Sequence, residues 1–175
     1  TFTDVLVAPL AGGAPARHAL RASSAAFSPD GRAVAFVRTN EKTVQIHHLA
    51  TNEQRTLRVP GAYRWIHLHD YAEPAGLLVE TNSDTESKLW TLAPPAAARP
   101  VLAAPEDLGQ PRYSPRGDAL YAMRSTRDTT DILRIPLGGG PPVTLLAGLE
   151  IGPQLGVARS VNRLAYERRT ARATL

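Results

Sequence analysis

Cysteine is absent from this 175-residue chain, and lysine is scarce. The first absence excludes disulfides, thiolate metal sites and a cysteine nucleophile, while leaving cytoplasm and periplasm both open. The second leaves only Lys42 and Lys88 beside 18 arginines, a bias that with the abundant alanine points to genome composition rather than a purpose-built polyanion site. No stretch approaches the roughly 18 apolar residues of a membrane span. A charged n-region followed by an apolar h-region is also missing, so no signal peptide is expected here, and any export signal or anchor would lie outside these residues. No window of about 12 residues carries an uninterrupted i, i+3, i+4, i+7 apolar stripe. With 15 Pro and 13 Gly scattered along the whole length, helices should be few or absent.

At 43% apolar the chain can bury a core, as one domain or as part of a larger repeat array. The net charge is +4 with a pI near 9.8, but the basic residues are dispersed. Tracking a phosphate backbone needs a continuous positive face, so direct nucleic-acid binding is not expected.

The chain repeats itself. Phe27, Tyr71, Tyr113 and Val157 fall in register at spacings of 44, 42 and 44 residues. Independently, "DVLVAPLAGG" from Asp4 matches "DILRIPLGGG" from Asp131, 127 residues on, which is three repeats. Each repeat divides into four short strands. The first precedes a Ser-Pro-Asp-Gly turn; the second reads "AVAFVR", "GLLVET", "ALYAMR" or "RLAYER"; the third "TVQIHHL", "KLWTLA" or "DILRIPL"; the fourth "QRTLRV", "RPVLAA" or "PVTLLAG". Val34 and Phe36 alternate with Ala33 and Ala35, as suits a strand packed on both faces, large residues on one and small on the other. A four-stranded unit of about 43 residues has the size of a β-propeller blade, which cannot bury both faces alone and needs neighbours. The expected fold is therefore all-β: full blades at 21–62, 63–106 and 107–149, flanked by partial blades at 1–20 and 150–175. The two ends could complete one another into a four-bladed ring, but four blades are the lower limit of the architecture, and the reading favours a partial propeller.

These motifs resemble the TolB-like propellers built from WD-like repeats, whose blades carry a Ser-Pro-Asp-Gly turn between first and second strands. The likeness is strongest at Phe27–Phe36 and Tyr113–Tyr121, where Arg116 stands in the Asp30 position, and weakest at His69–Gly76 and Val157–Tyr166. Asp4, Pro9, Gly12 and Gly13, like Asp131, Pro136, Gly138 and Gly139, are similar to the family's third-strand start and following Gly-Gly turn. Gly-His and Trp-Asp pairs of true WD repeats are missing. The C-terminal stretch also resembles the last repeats of propellers attached to bacterial winged-helix regulators or receptor kinases. That resemblance implies a sensing or protein-binding module within a larger bacterial protein, and an extracytoplasmic, periplasmic setting. Two alternatives stay open: an accessory propeller of a prolyl-oligopeptidase-type peptidase or other hydrolase, and a periplasmic TolB-type envelope component. The chain holds no Gly-x-Ser-x-Gly nucleophile elbow.

Few residues suggest chemistry. His67 and His69 in "YRWIHLHD" alternate on a strand beside Asp70 and could hold a metal or a small ligand in a central channel, though spacing supplies no third ligand. His47 and His48 should point to opposite faces. "PLGGGPP" lacks the Lys-Ser/Thr of a phosphate loop, and Pro141-Pro142 blocks the helix such a loop requires. Arg116-Gly117-Asp118 spells an integrin-type tripeptide but sits where the sister repeat has Asp30-Gly31-Arg32. The run Arg159, Arg163, Arg168, Arg169 and Arg172 could meet an acidic partner, yet strand alternation splits it across two faces. Ser28-Pro29-Asp30-Gly31 and Ser114-Pro115-Arg116-Gly117 read as structural turns: Ser bonds the backbone ahead, Pro presets φ, and Gly takes positive φ. No catalytic set and no cofactor emerge. The expectation is a non-catalytic scaffold whose partner is a protein.

Overall fold

The structure, a computed structural model, describes residues 4–8, 10–11, 14–19, 21–38, 41–95, 97–104, 108–126, 129–158, 160–161 and 163–168. Their regular structure is sixteen β-strands, and among them no helix is long and apolar enough to cross a membrane. The strands build an all-β fold of repeating four-stranded antiparallel sheets, as the repeat implied. The chain falls into two compact units, residues 1–103 and 104–175.

The first unit opens on a hairpin of β1 (Val5–Val7) and β2 (Ala16–Ala19). A sheet follows with β3 (Ala22–Phe27), β4 (Ala33–Arg38), β5 (Thr43–His48) and β6 (Gln54–Leu57) in sequential order. A second sheet holds β7 (Trp65–Ala72), β8 (Gly76–Asn82), β9 (Ser87–Leu92) and β10 (Arg99–Ala104), again in order, β10 ending one residue past the unit boundary. Sequential pairing follows from the short connections, which permit antiparallel neighbours and no crossover.

Strand β4 shows why its residues form this element. Ala33, Ala35 and Val37 point to one side, into a cluster with Ile66, Leu68, Leu77 and Val79 of the second sheet; Val34 and Phe36 point to the other, against Val5 and Ala22. The small residues thus admit the neighbouring sheet, and the large ones fill the gap towards β1. Phe36 and Leu77 are fully buried, and side chains of this size each contribute about 1.5–3 kcal/mol on leaving water.

In the second unit β11 (Leu108–Tyr113), β12 (Ala119–Ser125), β13 (Thr130–Pro136) and β14 (Val143–Leu149) form a sheet in sequential order, followed by the hairpin β15 (Ile151–Val157) and β16 (Leu164–Arg168). Met123 and Ile132 on the sheet pack against Leu155 on the hairpin, with Tyr121, Leu149 and Leu164 at the margin.

The first strand of each four-stranded sheet carries an irregularity that no sequence pattern announced. Register slips between Ser23 and Ala25 in β3, Leu68 and Asp70 in β7, and Gly109 and Arg112 in β11. Ser24 and Gln110 take positive φ at these points (38° and 50°). Bulges of this kind bend a strand and increase its twist. The Ser24 hydroxyl also accepts the Leu68 amide at 3.0 Å, tying one sheet to the next.

Gly76, at the start of β8, has φ +87°, and a Cβ there would collide with the backbone of Leu92, the last residue of β9, and of Ala93 just after it. Gly31 has φ +69° but open space around it. Chemical denaturation should separate the two: Gly31→Ala is expected to cost about 1–2 kcal/mol for the left-handed backbone alone. Gly76→Ala, which adds a backbone clash, should cost about 3 kcal/mol or more. Truncating Phe36→Ala should fall in the range of about 3–5 kcal/mol that large core aromatics show.

Candidate functional site

The two serine turns adopt one geometry by different means. In the first, the Ser28 amide donates to the Ala33 carbonyl and the Gly31 amide to the Ser28 carbonyl, both at 2.9 Å. The buried Ser28 hydroxyl accepts the Ala33 amide at 2.9 Å and donates to Asp30 Oδ1 at 2.6 Å, while Asp30 also accepts the Arg32 amide at 3.0 Å. In the second, the Ser114 amide donates to Ala119 and the Gly117 amide to Ser114, at 2.8 and 2.9 Å. Its hydroxyl accepts the Ala119 amide at 3.2 Å and donates at 2.6 Å to Asp118, two positions later than Asp30's place in the sister turn. The acid has moved from the third to the fifth position without loss of its bond. Gly31 and Gly117 both hold φ near +70° (69° and 67°), and Pro29 and Pro115 stand between serine and the third position.

These bonds have electrostatic consequences. The Ser28 hydroxyl, then the Arg32 amide, hold the Asp30 carboxyl below its ordinary range. Asp118 is lowered in the same sense, first by Ser114 and with help from the charges of Arg134 and Arg116. Asp131, at the start of β13, is lowered by its bond from Arg124 and by the Gly148 amide.

At the following turn of the second unit Gly139 and Gly140 take positive φ, 96° and 103°, beside Gly138. Gly12 and Gly13 lie outside the described residues, as do Arg159, Arg169 and Arg172.

His67 and His69 are brought together, their ring centroids 4.6 Å apart. Their main partner, Glu80 on β8, was not anticipated. His69 Nε2 sits 2.7 Å from Glu80 Oε2, and the Ser87 hydroxyl donates to Glu80 Oε1 at 2.6 Å while receiving the Asn82 amide group at 3.2 Å. Burial pushes the Glu80 carboxyl up, but the bonds from His69 and Ser87 and the charges of His69 and His67 outweigh it, and the group lies below its ordinary range. The Asp70 carboxylate accepts the Tyr71 amide at 2.8 Å. Among the described residues no group of three or more His, Cys, Asp or Glu side chains is arranged to hold a metal ion. On β5 His47 is buried and His48 exposed, as alternation implied.

A cleft of about 380 Å³ in the first unit is lined in part by Tyr63, Thr81, Glu86, Lys88 and Trp90. Its polar groups satisfy one another: Trp90 Nε1 donates to Thr81 Oγ1 at 2.8 Å and Lys88 pairs with Glu86 at 2.5 Å. A second cleft, of about 540 Å³, lies wholly in the second unit beside the Ser114 turn.

No protein-family model matches the chain, and no curated protein matches it in sequence. In structure it is similar to TolB from Acinetobacter baumannii, with a TM-score of 0.78 at 15% identity. The match covers 97% of this chain and 44% of the TolB chain, so the chain spans less than half of that protein's length. At this identity the likeness shows a TolB-like all-β fold.

Two measurements check this geometry. Replacing Ser28→Ala leaves the buried Ala33 amide without its hydroxyl partner and should destabilise by about 1–3 kcal/mol, with Ser114→Ala costing a similar amount. For Glu80, whose folded pKa lies below its unfolded value, the stabilisation is present above the ordinary carboxylate range near 4.3 and is lost as pH falls through the lower folded value. Urea melts between neutral pH and pH about 3 should therefore show a shallower acid loss for Glu80→Gln than for the parent chain.

Proposed function

We propose that the chain is a non-catalytic scaffold that binds a protein, and that its sheets are blades of a partial propeller belonging to a larger bacterial protein. In this reading 21–62, 63–106 and 107–149 are whole blades, 1–20 and 150–175 are partial ones, and the Ser28–Gly31 and Ser114–Gly117 turns punctuate the repeat. The observation that carries the proposal is where the hydroxyl protons go. Ser28, Ser114 and Ser87 each donate to a carboxylate of their own sheet, Asp30, Asp118 and Glu80. Each of those carboxylates is held more acidic than usual, which makes it a poor general base for activating a serine. The His69 imidazole is bonded to Glu80, one of these acidified carboxylates. Such networks rigidify sheets, and rigid sheets present surfaces. The TolB-like fold supports the same reading, and with it a WD-like repeat, a sensing role and an extracytoplasmic setting; His67, exposed, and His69, partly buried, then serve to hold Glu80 in the sheet rather than to bind a metal.

The purified chain should show no turnover of ester, peptide or phosphoester substrates above a buffer blank. Turnover that disappears in His67→Ala or His69→Ala would overturn the proposal.

A further inference from the structure

The cleft beside the Ser114 turn is set between that turn and residues Ser160 and Val161 of the β15–β16 connection. The connections share one bond: the Ala158 amide donates to the Arg163 carbonyl as Ser28 and Ser114 donate to Ala33 and Ala119. Its volume, about 540 Å³, is within the range of ligand-binding clefts, roughly 300–1,000 Å³.

Arg116 and Arg134 both line it, with Asp118 as the acid among them. Asp118 is already engaged, by the Ser114 hydroxyl at 2.6 Å and by Arg134 at 3.1 Å. Arg116 is exposed, and among the described residues its guanidinium makes no hydrogen bond. The turn does not need it. In the sister turn the same position is the acid that caps serine, and here Asp118 has taken over that task, so Arg116 adds a positive charge that turn geometry does not explain. One carboxylate between two guanidiniums leaves the cleft with an excess of one positive charge. The Ser160 and Tyr121 side chains lie along the same walls, and Val161, half exposed, supplies an apolar margin beside Pro115.

We propose that this cleft binds an acidic segment of a protein partner, with a Glu or Asp carboxylate on Arg116 and Arg134 and a neighbouring apolar side chain on Val161. The proposal rests on the scaffold reading and names a surface for it. Guanidinium groups suit a carboxylate because their paired N–H donors match its two oxygens. A cleft with a net excess of one positive charge favours a peptide over a nucleic acid, whose binding needs a run of phosphate contacts.

Fluorescence anisotropy on the full chain tests this, with a short labelled peptide of alternating Glu and Val, its Gln/Val counterpart, and a labelled single-stranded oligonucleotide as probes. The Glu peptide should bind at low salt and the Gln peptide should not. Arg116→Ala should weaken binding about tenfold, a typical loss for one charge-assisted contact, and Arg116→Lys should weaken it less. Arg134→Gln gives a second variant, and Arg32→Ala, in the sister turn, should bind as the parent does. Matching thermal melts exclude unfolding as the cause. Equal binding of the Gln peptide, unaltered affinity in Arg116→Ala and Arg134→Gln, or preference for the oligonucleotide would overturn the site. Those outcomes leave the scaffold reading standing, since that reading fails only on substrate turnover.

Discussion

A four-stranded sheet with two apolar faces can leave neither of them in water, and the rest of this structure follows from that. Strand β4 makes the constraint concrete. Its even and odd residues are both buried, Val34 and Phe36 towards β1, Ala33, Ala35 and Val37 towards β7 and β8. Neither face is stable without its neighbour, so the sequence repeats. The cross-strand partners obey the same division: Ala35 lies opposite Ile46 and Val37 opposite Val44, and all four enter one cluster. In contrast β14 is exposed along most of its length, and β6 likewise, whereas the opposite edge strands β7 and β11 are largely covered.

Within that frame the polar side chains are spent on geometry. A buried serine at each of the two Ser-Pro-x-Gly turns collects one amide and gives its proton to a carboxylate. The exchange of "SPDGR" for "SPRGD" shows that the requirement is a carboxylate within reach of the serine, met from either side of the glycine. Once the acid can move, the vacated position is released from the turn and open to another use. Arg116 occupies it.

Strands and turns were legible in the sequence because alternation and Ser-Pro-x-Gly are local signals. "AVAFVR" became β4 and "DILRIPL" supplied β13, and the division of large and small residues matched the two clusters that flank β4. The partner of the histidines was not legible, for a physical reason. Continuing the Ala72–Gly76 pairing straight up the hairpin would set Glu80 opposite Leu68, on the other face from His67. The bulge between Leu68 and Asp70 shifts the register by one, so that Glu80 pairs with His67 instead and meets His69. A one-residue slip exchanges faces, and nothing in "WIHLHDYA" announces where the slip falls. The role of Asp118 was hidden similarly: the motif centres on the third turn position, and a carboxylate two residues later lies outside its pattern.

The central claim is that neighbouring sheets stabilise one another through their shared apolar faces rather than each standing alone. Native-state hydrogen exchange on the full chain, comparing the parent with Val79→Ala, tests it directly. Val79 belongs to β8 but is fully buried in the cluster shared with β4 and β5. The account predicts that opening free energies fall together, for amides of β4 and β5 as well as those of β8 and β9, since the two sheets open as one cooperative unit. A loss of protection confined to β7–β10, with β3–β6 unchanged, would contradict it.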